Sequence, residues 1–492
     1  MSSTAVGRIS WNDRSTSPRL EGDFLILPNK TVSVGRDDAA NDVVLPDLRV
    51  SRCQLEIFCI IVDEECKHAP LVFVRDRGSS NGTCVNGQLI GKGTRLSRAK
   101  LLEDGDVITI GTHPDLTLKY SSLLHMQPSY TLSPLQRKEV ELFKDRYIIS
   151  SRTIGDGGHA LVFLGTEVET GQQVVCKVHD ISHYSTESQE LRRIRQEATL
   201  LSTLDHPNIL SIKAAFETHQ TIYIITELAT GGDLYSLLSR HDRLEEYTVR
   251  SIIRQVLRGV VYIHSKDVAH RDIKPENILC GVTPEVPLRV MLSDFGDSGI
   301  VGRQRMKSAV GTRFYRAPEC YTPGQDHDLA VDIWAVGMLA LQLFLGCEEF
   351  PGLDSILFQS QADVEAYVTL IFSLPSYHGR ISEAGKNFIR HCLAYDSKER
   401  PTARQAFRHS WLQEPKDDRK LFNQLETRNV DLWRPQRAMF PVIQDLRAES
   451  LLSIGRGAPD MRPGLEDMVS RHFADRISTH PAAPGIHLLK ER

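Results

Sequence analysis

The residues from His270 to Asn277 (His-Arg-Asp-Ile-Lys-Pro-Glu-Asn), with Asp294-Phe295-Gly296 downstream, carry a set of groups suited to moving a phosphoryl group. Asp272 can accept the proton of an attacking hydroxyl. Lys274 can neutralise charge developing on the transferred group. Asn277 and Asp294 are oxygen ligands at a spacing that suits Mg²⁺ ions bridging the phosphates of ATP. A His-Arg-Asp tripeptide alone is common; the specific signal is the longer string with Asp-Phe-Gly in order behind it.

Elements upstream must position these groups. Ile154-Gly155-Asp156-Gly157-Gly158-His159-Ala160-Leu161-Val162 reads as a phosphate-covering loop between two strands, its glycines letting backbone N–H groups approach phosphate closely. On its own, a glycine-rich hairpin is as readily a plain turn. Val174-Val175-Cys176-Lys177 follows as an apolar strand ending in lysine. Leu191, Ile194, Ala198 and Leu201 then recur at helical spacing. Glu197, beside that stripe, can turn inward and pair with Lys177, holding it against the α- and β-phosphates.

The 492 residues exceed one core and point to two or three domains. At 41% hydrophobic and 25% charged residues the chain has an ordinary globular composition. A net charge of −4 gives no electrostatic reason to expect direct nucleic-acid or anionic-membrane binding. The nine cysteines form no Cys-x-x-Cys pair and no zinc-type cluster, which suggests a reducing compartment, cytosol or nucleus. Met1–Arg19 is polar, without a signal-peptide core, and no stretch approaches the roughly 20 apolar residues of a membrane span.

Texture divides the chain. Residues 20–121 contain short β-like runs (Thr31–Val34, Leu55–Val62, Leu71–Val74, Val107–Ile110) broken by Asn-Gly and Asp-Gly turns, the pattern of an all-β sandwich. Residues 122–146 read as a linker ending in a short charged helical piece. Residues 147–412 start β-rich and become helical, as in Glu246–His264, where Val249, Ile252, Ile253, Val256, Val260 and Ile263 keep helical spacing. Residues 413–492 are charged and Pro/Gly-dotted, and are expected to be mostly disordered with one short helix.

On these motifs, residues 147–412 resemble a eukaryotic serine/threonine protein kinase domain from end to end, which implies an α+β bilobal fold using ATP and Mg²⁺. The resemblance places Thr226 at the gatekeeper and Glu227 to Ala229 at the hinge for adenine, covered by Val162 and Val175. His270, Phe295 and Leu201 would form an internal apolar spine. Glu319 of Ala317-Pro318-Glu319 would pair with Arg400, and Asp332 would anchor the catalytic loop. Lys274 and Thr312 fit Ser/Thr specificity. Asp233 and Glu276 match acidic positions facing the upstream part of a peptide, so substrates are expected to be basic there; Asp233 is alternatively a ribose contact. Ala160 stands where a third loop glycine is usual. Arg313 and Arg316 are more typical of proline-directed kinases, which leaves the preference just after the acceptor open.

Residues 31–111 resemble a forkhead-associated (FHA) domain, a β-sandwich that recognises phosphothreonine. The matching pieces are Gly35-Arg36, Ser51-Arg52, Ser79-Ser80-Asn81-Gly82-Thr83 and Val85-Asn86-Gly87. Arg36 offers a guanidinium fork suited to phosphate, and Ser51 and Arg52 add donors. Ser80 resembles a secondary phosphate or threonine contact and Asn81 a peptide-backbone contact. Gln54 replaces the usual structural histidine, with the capacity to bridge backbone groups all the same.

The resemblance as a whole is to checkpoint-type kinases of DNA-damage and meiotic recombination signalling. It implies a nuclear protein, with cytoplasm as the alternative. Residues 1–30 lack the Ser/Thr-Gln cluster common in effector checkpoint kinases, which leans toward the meiosis-specific type. A damage-effector kinase acting outside meiosis and a phosphopeptide-binding scaffold with an inactive kinase fold stay open as alternatives. Phosphothreonine partners would concentrate copies of the chain and allow transient self-association, with Ser308 in Arg305-Met306-Lys307-Ser308 as the candidate phosphosite.

Overall fold

The computed structural model describes residues 4–470 apart from 15–19, 61–69, 125–129, 241–243, 282–288, 301–312, 322–327, 347–357, 434–440 and 455–463, and positions 29, 94–95, 112, 158–159, 376 and 378. Ser308 and Thr312 lie outside the described residues, as do Gly158 and His159.

The first region is built from β1 (Gly7–Asp13), β2 (Leu20–Ile26), β3 (Val32–Gly35), β4 (Val43–Val44), β5 (Leu55–Ile60), β6 (Leu71–Asp76), β7 (Thr83–Val85), β8 (Gln88–Gly91), β9 (Lys100–Leu101), β10 (Val107–Ile110) and β11 (His113–Ser122). They form two sheets, ordered β2-β1-β11-β10-β7-β8 and β4-β3-β5-β6-β9. Period-two alternation sends Val34, Leu55, Ile57, Ile108, Ile110 and Leu118 into one buried cluster between them. The sandwich begins before the expected boundary at residue 20. β1 pairs with both β2 and β11, with Ile9 opposite Phe24 and Tyr120. Its polar outward residues Arg8, Ser10 and Asn12 hide the strand signal.

The linker carries α1 (Pro134–Glu139), closed by a capping box between Ser133 and Gln136. It is docked on the sheet that lies C-terminal to it. Tyr223 Oη donates to the Glu139 carboxylate at 2.9 Å, and Phe143 stacks on Phe216 with ring centroids 4.2 Å apart.

A small lobe comprises β12 (Tyr147–Gly157), β13 (Ala160–Glu167), β14 (Gln173–Asp180), α2 (Gln189–Thr203), β15 (Ile212–Glu217) and β16 (Thr221–Glu227). The large lobe adds α3 (Leu234–Arg240), α4 (Glu246–His264), the short strands β17 (Val268–Ala269), β18 (Ile278–Gly281), β19 (Arg289–Leu292) and β20 (Gly299–Ile300), α5 (Ala330–Leu345), α6 (Gln361–Ser373), α7 (Glu383–Cys392), α8 (Ala403–Phe407) and α9 (Ser410–Gln413). The α4 stripe is buried as its spacing predicts, packed in one cluster with the almost wholly buried α5. No helix among the described residues is long and apolar enough to cross a membrane.

The last region, 413–492, expected to be mostly disordered with one short helix, is more regular than that where the structure describes it. It holds α10 (Lys416–Trp433), β21 (Val442–Asp445) and α11 (Arg447–Ile454). Asp418 pairs with Arg250 at 2.5 Å, Glu426 pairs with Arg254 and Arg258, each at 2.5 Å, and Trp433 Nε1 donates to Ser211 Oγ at 3.2 Å. The charges of this segment complement a row of arginines on α4. β21 extends the small-lobe sheet, giving the order β12-β13-β14-β16-β15-β21.

The sandwich is also joined to the small lobe. Gln173 accepts from Leu101 N (2.8 Å) and donates to Leu101 O (2.9 Å), while Arg152 donates to Leu102 O at 2.5 Å. Ile60, Leu71, Phe73, Ala99 and Leu101 share one apolar cluster with Ile154 and Leu164, against which Val162, Val175 and Leu228 pack.

Candidate active site and phosphopeptide loops

β14 carries Lys177, the side chain that the cleft needs, inside the strand, which runs on to Asp180 instead of ending at the lysine. Antiparallel register sets Val162 opposite Lys177 and Val175 opposite Thr226, so lysine, gatekeeper position and the two valines come from adjacent strands. Lys177 Nζ lies 2.9 and 3.1 Å from the two Glu197 oxygens. Burial alone would depress the Lys177 ammonium, but the charges of Glu197 and Asp294 outweigh it and hold it above its usual range. Ile154 is buried above the cleft, and Gly155 and Gly157 pair with Val162 and Ala160. Thr226 is buried, and its hydroxyl faces the Glu227 carbonyl at 3.3 Å. The Glu227 side chain pairs with Arg289 (2.8 Å) and accepts from Ser211 N (3.0 Å). Ala229 lies two residues past Glu227, where the resemblance sets the hinge, and beyond it Asp233 Oδ1 caps Ser236 N at 2.6 Å.

The catalytic loop is held from below by one buried carboxylate. Asp332, fully buried in α5, accepts from His270 N (2.8 Å) and Arg271 N (2.8 Å) and contacts His264 Nε2 (2.8 Å). Burial would raise its pKa, but the bonds and charge of His264, with His270 and the backbone N–H, keep it below the carboxylate range. That anchoring holds Arg271 in the left-handed region (φ 72°), where Asp294 (φ 60°) of the same site also stands. Asp272 Oδ2 accepts from Asn277 Nδ2 at 2.7 Å and lies 2.9 Å from Lys274 Nζ. His270 and the buried Phe295 meet edge to face, with centroids 4.7 Å apart. Arg400 holds Glu319 by a buried fork of 2.6 and 2.7 Å.

The donor set fits a hard divalent cation. Asn277 commits Nδ2 to the Asp272 carboxylate and carbonyl, so its amide oxygen is the atom that would coordinate, and among the described residues the exposed Asp294 carboxylate accepts a long 3.4 Å bond from Gly296 N. Amide and carboxylate oxygens beside phosphate are Mg²⁺ chemistry.

The second constellation lies at the loop end of the sandwich. Arg36 is exposed, with Nε on Val50 O at 3.2 Å, and Arg52, Ser80 and Asn81 are exposed around it. Ser51 Oγ accepts from Ser80 N (2.9 Å), and Asn81 Nδ2 donates to Arg49 O (2.7 Å), so these loops lace each other together. Gln54 does bridge the frame. Fully buried, it accepts from Ser51 N (2.9 Å) and donates to Gly82 O and Thr83 Oγ1 (both 3.1 Å). A side chain at Gly35 would collide with the Arg52 carbonyl, so glycine precedes Arg36 for space.

The profile of the protein kinase domain matches residues 148–412, more than half of the chain. The chain belongs to the protein kinase family. The profile of the FHA domain matches residues 32–111. The meiosis-specific serine/threonine-protein kinase mek1 of Schizosaccharomyces pombe is 29% identical over 77% of this chain and 81% of its own length. The probable serine/threonine-protein kinase fhkC of Dictyostelium discoideum is 33% identical over 73% of this chain and 58% of its own. A crystal structure of Rad53 residues 1–466 in complex with AMP-PNP is 26% identical, covers 83% of this chain and all of its own, and has a TM-score of 0.44. The chain is thus a serine/threonine protein kinase carrying an FHA domain.

The structure gathers Lys177, Glu197, Asp272, Lys274, Asn277 and Asp294 about one cleft, and Arg36, Ser51, Arg52, Ser80 and Asn81 about one set of loops. Sequence reasoning missed the sandwich residues at the hinge side of the cleft: a Cβ on Gly232 would sit 3.1 Å from Ile60 Cγ2. It also missed Arg195 of α2, which pairs with the buried Glu217 of β15 at 2.5 Å. A carboxylate ending an apolar strand resembles a surface residue, so neither carried a local signal.

Proposed function

We propose that this kinase is brought to phosphothreonine-bearing partners by its FHA loops and phosphorylates Ser or Thr in basic segments, in nuclear checkpoint signalling of the meiotic recombination type. The assembled cleft on a chain that also presents the Arg36 cluster is the observation that carries this. Asp272 orients the acceptor hydroxyl and takes its proton, while Lys274 sits ready beside it for charge arising on the phosphoryl group. Lys177, held by Glu197, binds the α- and β-phosphates. Asn277 and Asp294 would hold Mg²⁺, which neutralises phosphate charge when bound. Arg36 grips the phosphothreonine phosphate, with Ser51, Arg52 and Ser80 adding donors and Asn81 reaching the peptide backbone. The meiotic setting draws on the likeness to the S. pombe kinase.

Basic selectivity is supported by the electrostatics beside Asp272. Burial pushes the Glu276 carboxyl up, and Asp233 and Asp272 push it further, so these acids share one region that a guanidinium would relieve. A degenerate peptide library is expected to show arginine three residues before the acceptor. A proline-directed profile without arginine preference would instead support what Arg313 and Arg316 suggest. We further propose that clustering on a phosphorylated scaffold lets copies phosphorylate one another at Ser308, by transient self-association.

A further inference from the structure

β15 is not the edge of the small-lobe sheet. β21, from the C-terminal segment, lies parallel to it, with Ala214 opposite Val442 and Glu217 opposite Asp445. The next residues tighten the attachment: Leu446 N donates to Glu217 O at 2.7 Å, and Ser450 Oγ accepts from His219 N at 3.0 Å. A later stretch returns to the same place. Leu465 N donates to the Glu217 carboxylate at 2.7 Å, and Glu466 accepts from Asp445 N at 3.1 Å. Leu465 and Val469 are buried, in the apolar cluster that contains Leu191, Ile194 and Ala198 of α2.

Glu217 is therefore a junction. Its side chain is fully buried, and such a carboxylate must be fully partnered to be tolerated. One partner is the Arg195 fork, at 2.5 and 3.3 Å; the other is the tail's Leu465 N–H. Asp445, itself held by Arg447, also feels the Arg195 charge. Arg195 stands on α2 two residues before Glu197, so whatever fixes Arg195 fixes the rotation that points Glu197 at Lys177. The tail closes that chain of contacts from outside the kinase domain.

We infer that residues 442–454 and 464–470 are a positioning element for phosphoryl transfer, seating α2 through the Arg195–Glu217 pair and the apolar anchors Leu465 and Val469. This rests on the reading of Glu197 as the partner of Lys177. Without the tail, Glu217 loses a buried donor and the apolar cluster that includes Leu191, Ile194 and Ala198 of α2 loses two members. Lys177 is then held less well, with effects on both ATP use and turnover. The substrate-peptide side of the cleft is left alone.

The test compares the full chain with a chain ending at Trp433, assayed with and without a synthetic peptide of residues 440–470. The shortened chain should lose at least tenfold in kcat/KM for ATP, with a higher KM for ATP and an unchanged KM for the acceptor peptide. The 440–470 peptide should restore activity saturably, and the same peptide with Leu465→Asp and Val469→Asp should not. A merely stabilising tail would lower the active fraction and leave KM for ATP where it was. Because the shortened chain could fold poorly, the full chain with Leu465→Asp and Val469→Asp is measured alongside and should show the same rise in KM. Unchanged kinetics in that full-length variant would overturn the inference, as would full activity of a folded shortened chain. If Glu197→Gln in the full chain also turned over normally, the Lys177–Glu197 reading would be the one at fault.

Discussion

Asp272→Asn should lower kcat by roughly 10²–10⁴-fold, the range for losing a positioned general base, while Mg²⁺–ATP binding stays near that of the parent. The substitution preserves size, and the asparagine oxygen can still accept from Asn277, whose Nδ2 now lies 2.7 Å from the carboxylate. The loop itself is secured by Asp332 on the backbone N–H groups of His270 and Arg271, which the change leaves untouched. What is lost is the group proposed to take the hydroxyl proton. Asp294→Ala should behave differently and weaken nucleotide binding as well, because it removes the carboxylate proposed to hold the cation. Steady-state kinetics together with a fluorescent-nucleotide titration separate the two, and normal turnover in either purified variant would contradict the assignment.

Arg36→Ala should reduce phosphothreonine-peptide affinity by at least tenfold without unfolding the sandwich. A charge-assisted hydrogen bond contributes about 1.5–3 kcal/mol, and the fork makes more than one. The side chain is exposed, and among the described residues its one internal bond, to Val50 O, is long at 3.2 Å. The frame beneath rests on Gln54 and on Asp76, which accepts from Gly78 N, Ser79 N (both 2.8 Å) and Thr83 Oγ1 (2.6 Å). Calorimetric titration of paired phosphorylated and unphosphorylated peptides reads the effect. Equal binding of both peptides by the parent chain would remove phosphothreonine from the proposal.

Much of this was legible because its signals are local. The α4 stripe spans Glu246–His264, which are the helix bounds found. The order of Lys177, Glu197, Asp272 and Asp294 along the chain anticipated one cleft, and the capacity of glutamine to bridge backbone groups anticipated Gln54. The rest is hidden for a common reason: it depends on partners far away in sequence. Asp418 and Glu426 belong to a run that looks solvated until Arg250, Arg254 and Arg258 face it. Gln173 has no special character until the Leu101 backbone lies across from it. β1 escapes notice because its outward side chains are polar, although Ile9 is fully buried.

The apolar cluster shared by sandwich and small lobe has a thermodynamic consequence. Ile60, Leu71, Phe73 and Leu101 on one side and Ile154 and Leu164 on the other are each at least nine-tenths buried in the folded chain and lie in one cluster that both parts build. Melting either part strips water-excluded surface from its neighbour, so the two are coupled in heat as well as in space. The sandwich and the small lobe should therefore melt as one cooperative unit, and the large lobe as a partner with more independence. A ligand that stabilises the small lobe would raise the melting of the sandwich with it, although the two are separate domains by family.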